Sequence, residues 1–123
     1  MNILLHVEEI IPYIPVYHVS IGYKLGPFHR RFDFHPKSKF ELPVKGRHKI
    51  ITLGRSKKNF CKVLKFESKL DKNYILGFND CRHFSQKLID YSYDDGEHID
   101  IINMSNLYRY FNNYTHNNPP TFY

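Results

Sequence analysis

The sequence has no tryptophan, only two cysteines and no long hydrophobic run. No stretch approaches the roughly 20 apolar residues that a membrane-spanning helix needs, so we expect no transmembrane segment. The N-terminal stretch MNILLHVEEII has no basic region before its apolar residues and does not resemble a signal peptide. We therefore expect a cytoplasmic protein. Cys61 and Cys81 are too few for a disulfide or zinc framework, and a bridge between them is not expected in a reducing compartment.

The 123 residues are enough for one domain and not for two, and 41% of them are hydrophobic. We predict a single domain over residues 1–123, with an irregular tail from about residue 115. The net charge is +6, and lysines and arginines cluster between Lys24 and Lys72. Such a cluster can bind nucleic acid or another anionic surface. Lysines at strand edges and turns give the same pattern, so nucleic acid is a possible partner but not the favoured one.

Alternation of polar and apolar residues predicts a β-hairpin. From Val16 to Tyr23 one face carries Tyr17, Val19, Ile21 and Tyr23, and the other carries His18, Ser20 and Gly22. A turn at Leu25–Pro27 leads to a second alternating run from His29 to His35. Two further strands are predicted at His48–Leu53 and Cys61–Phe66, and loops are predicted around Pro43 and at residues 93–98.

Helical patterns dominate the C-terminal part of the chain. Asp80 or Asn79 is a suitable N-cap for a helix from Cys81 to about Tyr91, whose inward stripe is Phe84, Leu88 and Tyr91. Cys81 shares that inward face, and His83 lies roughly opposite. Ser105 can cap a final helix that carries four inward aromatic or aliphatic residues: Leu107, Tyr110, Phe111 and Tyr114. The order of elements predicts an α+β domain with a mainly antiparallel sheet.

A cysteine at a helix N-terminus is a candidate nucleophile, because unpaired amides and the helix dipole favour the thiolate. A nearby imidazole is the second activating device. His18 is the candidate, since its strand face carries only the small residues Ser20 and Gly22, and Asp33 or His35 can orient its ring. A buried cysteine that acts as a small hydrophobe is the alternative. We predict neither a metal site nor a cofactor, since Cys81 and His83 point in different directions.

Three stretches, "YHVSIGY", "RFDFHP" and "NDCRHF", resemble the circularly permuted papain-like hydrolases of the NlpC type, which include lecithin:retinol acyltransferase-like proteins. The resemblance covers roughly residues 16 to 90, and the order His before Cys is the mark of the permutation. It implies that Cys81 is the nucleophile, His18 the base and Asp33 the third polar residue, with His35 less favoured. Asn79 also falls on a motif position, as a possible third residue or as a supporting one. The chain departs from the pattern at Asp80, which is inserted before the cysteine.

These residues predict a cysteine-dependent hydrolase or acyltransferase that cleaves an amide or ester bond through a thioester. The substrate would be a peptide, an isopeptide or a lipid acyl group, and the basic residues favour an anionic one. The oxyanion would be held by the backbone N–H of Cys81 and by a tyrosine, Tyr17 or Tyr23. The alternative is a catalytically inactive basic module on the same scaffold that binds nucleic acid or a protein partner.

Overall fold

Four antiparallel strands form one sheet in the order β3-β2-β1-β4. The structure is a computed structural model that describes residues 1–37, 46–93, 96 and 98–116. The strands are β1 (Asn2–Glu9), β2 (Tyr17–Leu25), β3 (Phe28–Phe32) and β4 (His48–Arg55). The helices are α1 (Phe60–Ser68), α2 (Cys81–Ser92) and α3 (Met104–His116). The predicted α+β class with an antiparallel sheet is thus confirmed. None of the described helices is long and apolar enough to cross a membrane.

The β2–β3 hairpin matches the prediction. Gly26 occupies its turn with φ +57°, a conformation that favours glycine. The strands pair from Leu25 opposite Phe28 to Ile21 opposite Phe32. Continuing this register beyond the paired residues brings Asp33 beside Ser20 and His35 beside His18, so the turn places the polar residues of both strands on one face.

Strand β1 was not expected, although it lies at the centre of the sheet. It pairs with β2 on one side and with β4 on the other. Leu4 and Leu5 point to opposite faces and are both buried, which hides the alternation that marks a half-exposed strand. The two acidic residues at the end of β1 have partners, because Arg31 pairs with Glu8 and Arg47 with Glu9.

The predicted strand at Cys61–Phe66 is wrong, because these residues belong to helix α1. Asn59 is the N-cap, and its side chain accepts a hydrogen bond from the backbone N–H of Lys62. Val63 is fully buried, whereas Cys61 is exposed. Alternation between lysines and apolar residues fits one turn of a helix as well as a short strand, so the cap was the more informative signal.

Helix α2 begins and ends close to the predicted residues. Asp80 is its N-cap, and Cys81, Phe84 and Leu88 are buried as expected. Helix α3 is also present, but its cap is Asn103 and not Ser105, since the Asn103 side chain accepts the Ser105 N–H. Leu107 and Phe111 of α3 are buried.

Parts of three predicted irregular regions lie outside the described residues. These parts are residues 38–45 around Pro43, residues 94, 95 and 97 of the loop after α2, and residues 117–123 of the tail. Residues 115 and 116, predicted as the start of the tail, still belong to α3.

The sheet has one apolar face and one face rich in polar side chains. Val19, Ile21 and Tyr23 share a core with Val63, Leu88 and Phe111 of the three helices. Successive strand residues point to opposite faces, so the neighbouring His18 and Ser20 belong to the other face. His18 is the second residue of β2, which places its ring at the end of the sheet where helix α2 begins.

Candidate active site

The thiol of Cys81 lies at the first helical position of α2. The residue is buried, with 6% of its surface exposed. The first amides of a helix have no intrahelical partner, and the positive end of the helix dipole lies there. Cys81 therefore lies among these unpaired amides. This agrees with the sequence-based placement of Cys81 at a helix start.

His18 joins the thiol to a carboxylate. Its Nε2 lies 2.9 Å from Asp33 Oδ1, and the Cys81 thiol is near enough to its ring to affect the pKa of His18. Burial by itself would lower the pKa of His18, but the hydrogen bonds and charges of Asp33 and Cys81 raise this pKa to about 9. Since Asp33 engages Nε2, Nδ1 is the nitrogen left to exchange a proton with the thiol.

Arg31 holds the carboxylate of Asp33 in place. Its Nε lies 3.0 Å from Asp33 Oδ2 and donates a 2.7 Å hydrogen bond to Ser20 Oγ, while its Nη2 pairs with Glu8. Burial would raise the pKa of Asp33, but the hydrogen bond to His18 and the charge of Arg31 hold it far below its usual value. Asp33 is therefore an anion that orients the imidazole of His18 and favours its protonated form. No sequence pattern singled out Arg31.

His35 takes a different position from Asp33. Its ring stacks on the ring of His18, with centroids 4.4 Å apart and planes 19° from parallel. Its Nε2 is 3.8 Å from Asp33 Oδ1, too far for a hydrogen bond. Of the two candidates for the third residue, Asp33 is the one that bonds His18, and His35 covers the face of its ring.

His18, Asp33 and His35 also form a group of possible metal ligands. One ligand atom from each lies within 4.8 Å of the other two. Nitrogen and carboxylate donors of this kind suit zinc. The group escaped the sequence-based search because its members come from a strand and from the segment that follows the neighbouring strand.

Asp80, the residue inserted before the cysteine, is the buried N-cap of α2. It is 1% exposed, and its carboxylate accepts hydrogen bonds from the backbone N–H groups of Arg82 and Gly77 at 3.0 Å each. Burial would raise the pKa of Asp80, but the Arg82 guanidinium and the two amides hold it far below its usual value. His83 Nδ1 lies 3.2 Å from the Asp80 backbone nitrogen and completes a capping box. His83 is thus part of the helix cap, with its side chain 20% exposed.

Tyr74 lies beside the thiol and was not predicted. The Cys81 backbone amide and the Cys81 side chain are both near enough to the Tyr74 hydroxyl to affect its pKa. Burial, followed by the neighbouring Cys81 and Asp80, raises the pKa of Tyr74. Asn79 holds the segment that carries this tyrosine, because its side-chain amide donates a 2.7 Å hydrogen bond to the carbonyl of Asn73. Asn79 therefore supports Tyr74, and its side-chain hydrogen bonds go to backbone carbonyls of residues 71 and 73 and not to His18.

The two tyrosines expected as oxyanion donors point elsewhere. The hydroxyl of Tyr23 lies 2.8 Å from Ser92 Oγ at the far end of α2, about 16 Å along the helix from Cys81. Burial raises the pKa of Tyr23 to about 12. Tyr17 packs its ring against that of Phe111 in α3, with the ring centroids 5.0 Å apart. Both serve the core, as their inward strand face indicated.

The arrangement contains the parts that nucleophilic acyl transfer requires. An imidazole near the thiol is hydrogen-bonded to an ionised carboxylate, and the Tyr74 hydroxyl lies near the Cys81 amide. The other cysteine, Cys61, is free and exposed on α1. Comparisons with protein-family models, curated proteins and solved structures find no match to this chain.

Proposed function

We propose that the protein is a cysteine-dependent hydrolase or acyltransferase of the permuted papain-like type. The observation that carries the proposal is the His18–Asp33 hydrogen bond, with the Cys81 thiol at the N-terminus of a helix near enough to raise the pKa of His18. The "NDCRHF" and "YHVSIGY" stretches that resemble the permuted family contribute the two reacting residues. Support from the residues and support from the motifs therefore agree on the same pair.

The proposed reaction divides into two acyl transfers. His18 enters the reaction protonated, and the Cys81 sulfur attacks the carbonyl carbon of an amide or ester as a thiolate. The carbonyl oxygen becomes an oxyanion, which accepts hydrogen bonds from the Cys81 N–H and the Tyr74 hydroxyl. The protonated His18 then gives its proton to the departing amine or alcohol, and a thioester remains. Water, or a second amine or alcohol, loses a proton to His18, attacks the thioester and releases the sulfur.

The raised pKa of His18 has a consequence for the resting site. With a pKa of about 9, the ring is protonated at neutral pH. It then provides a positive charge beside the sulfur and a proton for the leaving group. Activity that depends on this protonated ring is present at neutral pH and decreases as the pH rises through about 9.

The first experiment measures the reactivity of Cys81 with iodoacetamide between pH 5 and 10. It uses a Cys61→Ser background, so that the exposed second thiol does not react. We expect alkylation well below pH 8, slowed at least about tenfold at pH 6.5 by His18→Ala. His98→Ala is the matched control, since this side chain is 68% exposed and lies 3.7 Å from Asp90, which is not part of the candidate site. Equal alkylation rates in His18→Ala and its parent would contradict the proposed pair.

The second experiment asks whether an acyl group is transferred. Activated esters and peptide amides are incubated with the protein, and intact mass spectrometry follows the acyl adduct on Cys81, which hydroxylamine should remove. Cys81→Ala should abolish the adduct. If no adduct forms with any substrate while salt-dependent binding of nucleic acid persists in Cys81→Ala, the binding-module alternative replaces the enzyme.

A further inference from the structure

The metal-ligand group of His18, Asp33 and His35 joins two neighbouring strands on the polar face of the sheet. His18 belongs to β2, and the other two residues follow β3, where the register of the hairpin continues. Their side chains are 16%, 30% and 34% exposed, so solvent reaches all three. Two imidazoles and a carboxylate, with water in the fourth position, are a ligand set that zinc enzymes use.

The separations within the group are close to those of a tetrahedral site. Bonds of about 2.0–2.2 Å at tetrahedral angles put neighbouring ligand atoms roughly 3.4 Å apart. Asp33 Oδ1 is 2.9 Å from Nε2 of His18 and 3.8 Å from Nε2 of His35, so each separation needs an adjustment of only about 0.5 Å. The two rings are stacked, and one must turn before both nitrogens point at one ion. His35 is the ring with room to turn, since it lies outside the paired strands and is the more exposed of the two.

The charges around the group suit a divalent cation. Arg31 pairs with Glu8 and with Oδ2 of Asp33. One guanidinium against two carboxylates leaves one net negative charge when the imidazoles are neutral. Arg31 also leaves Oδ1 of Asp33 facing the two rings. The guanidinium therefore orients the carboxylate from outside, as the supporting partners of metal ligands do, without occupying the ligand position.

We propose that His18, Asp33 and His35 bind a zinc ion that prevents His18 from acting as a base. The ion would bond to Nε2 of His18, to Oδ1 of Asp33 and to a ring nitrogen of His35, with water as the fourth ligand. It replaces the proton on Nε2 of His18, and that proton passes to solvent.

Zinc in this position would stop the second half of the proposed reaction. The lone pair of Nε2 would be in the bond to the metal, so the ring would carry its remaining proton on Nδ1. Removal of that proton leaves an imidazolate, which is far less favourable than a neutral imidazole. His18 would therefore have no nitrogen ready to accept a proton from the water that attacks the thioester. This consequence rests on the proposed acyl transfer, whereas the binding of zinc does not.

Isothermal titration calorimetry tests the site in a protein with no histidine tag and no thiol. Cys61→Ser and Cys81→Ala remove both cysteines of the chain, and zinc is added at pH 8. We expect one ion per chain and the release of about one proton, which a comparison of two buffers with different ionisation enthalpies reveals. His35→Phe keeps an aromatic ring on His18 and removes a ligand atom, and it should weaken binding at least about tenfold.

His48→Phe is the matched control for this substitution. Nε2 of His48 lies 3.1 Å from Nδ1 of His6, so this pair is an alternative position for an ion. We expect His48→Phe to bind zinc like the parent. Absence of binding by the parent, equal binding by His35→Phe, or loss of binding in His48→Phe alone would each overturn the proposal.

The second measurement uses the Cys61→Ser protein, which keeps the Cys81 thiol. Zinc should slow hydrolysis of the acyl adduct left by an activated ester at least about tenfold, and EDTA should restore the rate. Alkylation by iodoacetamide should stay nearly unchanged, because a positive charge remains beside the sulfur. Zinc that blocks alkylation would place the ion on the sulfur and overturn the proposal. Zinc binding that is lost in His35→Phe, in a protein that no ester acylates, would support the site and refute the proposed function alone.

Discussion

Asp33→Asn is the most informative substitution in the candidate site, because it removes the charge beside His18 and keeps the size of the side chain. Asp33 lies 2.9 Å from the ring nitrogen, and the His18 side chain is only 16% exposed. The difference between the ordinary His pKa of 6.5 and the value of about 9 in this site corresponds to roughly 3 kcal/mol in favour of the protonated ring. Asp33 and Cys81 supply this preference against the opposing effect of burial.

In Asp33→Asn the burial of His18 remains, while the ion pair is lost. We therefore expect the His18 pKa to fall to about 6.5 or below. The assay is a pH titration of the His18 ring nitrogens by NMR, together with the pH dependence of Cys81 alkylation. At pH 8 the ring of the parent should be protonated and that of the variant neutral, and alkylation of the variant should be slower below pH 7. Asp90→Asn is the control, since that carboxylate is 51% exposed on α2.

The same substitution has a stability signature whose sign follows from the two pKa values. The His18 pKa is raised in the folded state, so its stabilisation is complete below pH 6.5 and is lost as the pH rises through about 9. The Asp33 pKa is lowered, so its stabilisation is present above the ordinary value of 3.8 and is lost as the pH falls. Asp33→Asn should therefore lower the melting temperature most between about pH 4 and 6.5 and least above pH 9.

Two results would refute this reasoning. One is a His18 titration in the parent with a midpoint at or below 6.5. The other is a pair of titration curves that coincide for the parent and Asp33→Asn. In either case Asp33 would not charge the imidazole, and the hydrogen bond of 2.9 Å would have only a structural role.

Three further substitutions test separate parts of the structure. Tyr74→Phe should slow acylation by a carbonyl substrate about 10²-fold or more, while iodoacetamide, which forms no oxyanion, should alkylate Cys81 at nearly the same rate; equal losses in both reactions would contradict an oxyanion role. Asp80→Ala should lower the free energy of unfolding by about 1–3 kcal/mol in a denaturant titration, because it removes the α2 cap and leaves Arg82 without its carboxylate; a loss below about 0.5 kcal/mol would argue against this role. Asn59→Ala should lower the same free energy by about 1 kcal/mol through loss of the α1 cap, and no change would argue against a capped helix there.

The parts of the fold that the sequence predicted well are those with local signals. The β2–β3 hairpin has strict alternation and a turn glycine, and α2 has an N-cap followed by a helical stripe. The elements that were missed or wrongly predicted lack a clear local signal. Strand β1 is buried on both faces, and its charges are neutralised by arginines distant in the chain. Residues 61–66 are too short a run for their period to distinguish a helix from a strand.

The candidate site shows the same division. Cys81 and His18 could be predicted from local patterns. Helix phase marks Cys81 as an inward residue at a helix start, and strand alternation puts His18 on a face with small neighbours. The choice between Asp33 and His35 depended on side-chain geometry, since alternation puts both on one face. No local sequence pattern marks Tyr74. Its position near the Cys81 amide depends on the Asn79–Asn73 hydrogen bond and on packing against Phe34, with the ring centroids 5.1 Å apart.

Asp80 connects the start of α2 to the exposed turn of residues 76–78. One carboxylate oxygen accepts the Arg82 N–H and so fixes the start of α2, while the other accepts the Gly77 N–H at the centre of the exposed turn. Arg82 in turn donates a 2.7 Å hydrogen bond to the carbonyl of Ile102 before α3. Because this carboxylate is buried and ionised, a displacement of the turn must either move the start of α2 or break a charge-assisted hydrogen bond. The inserted residue therefore ties the position of the thiol to the position of Leu76 and Phe78.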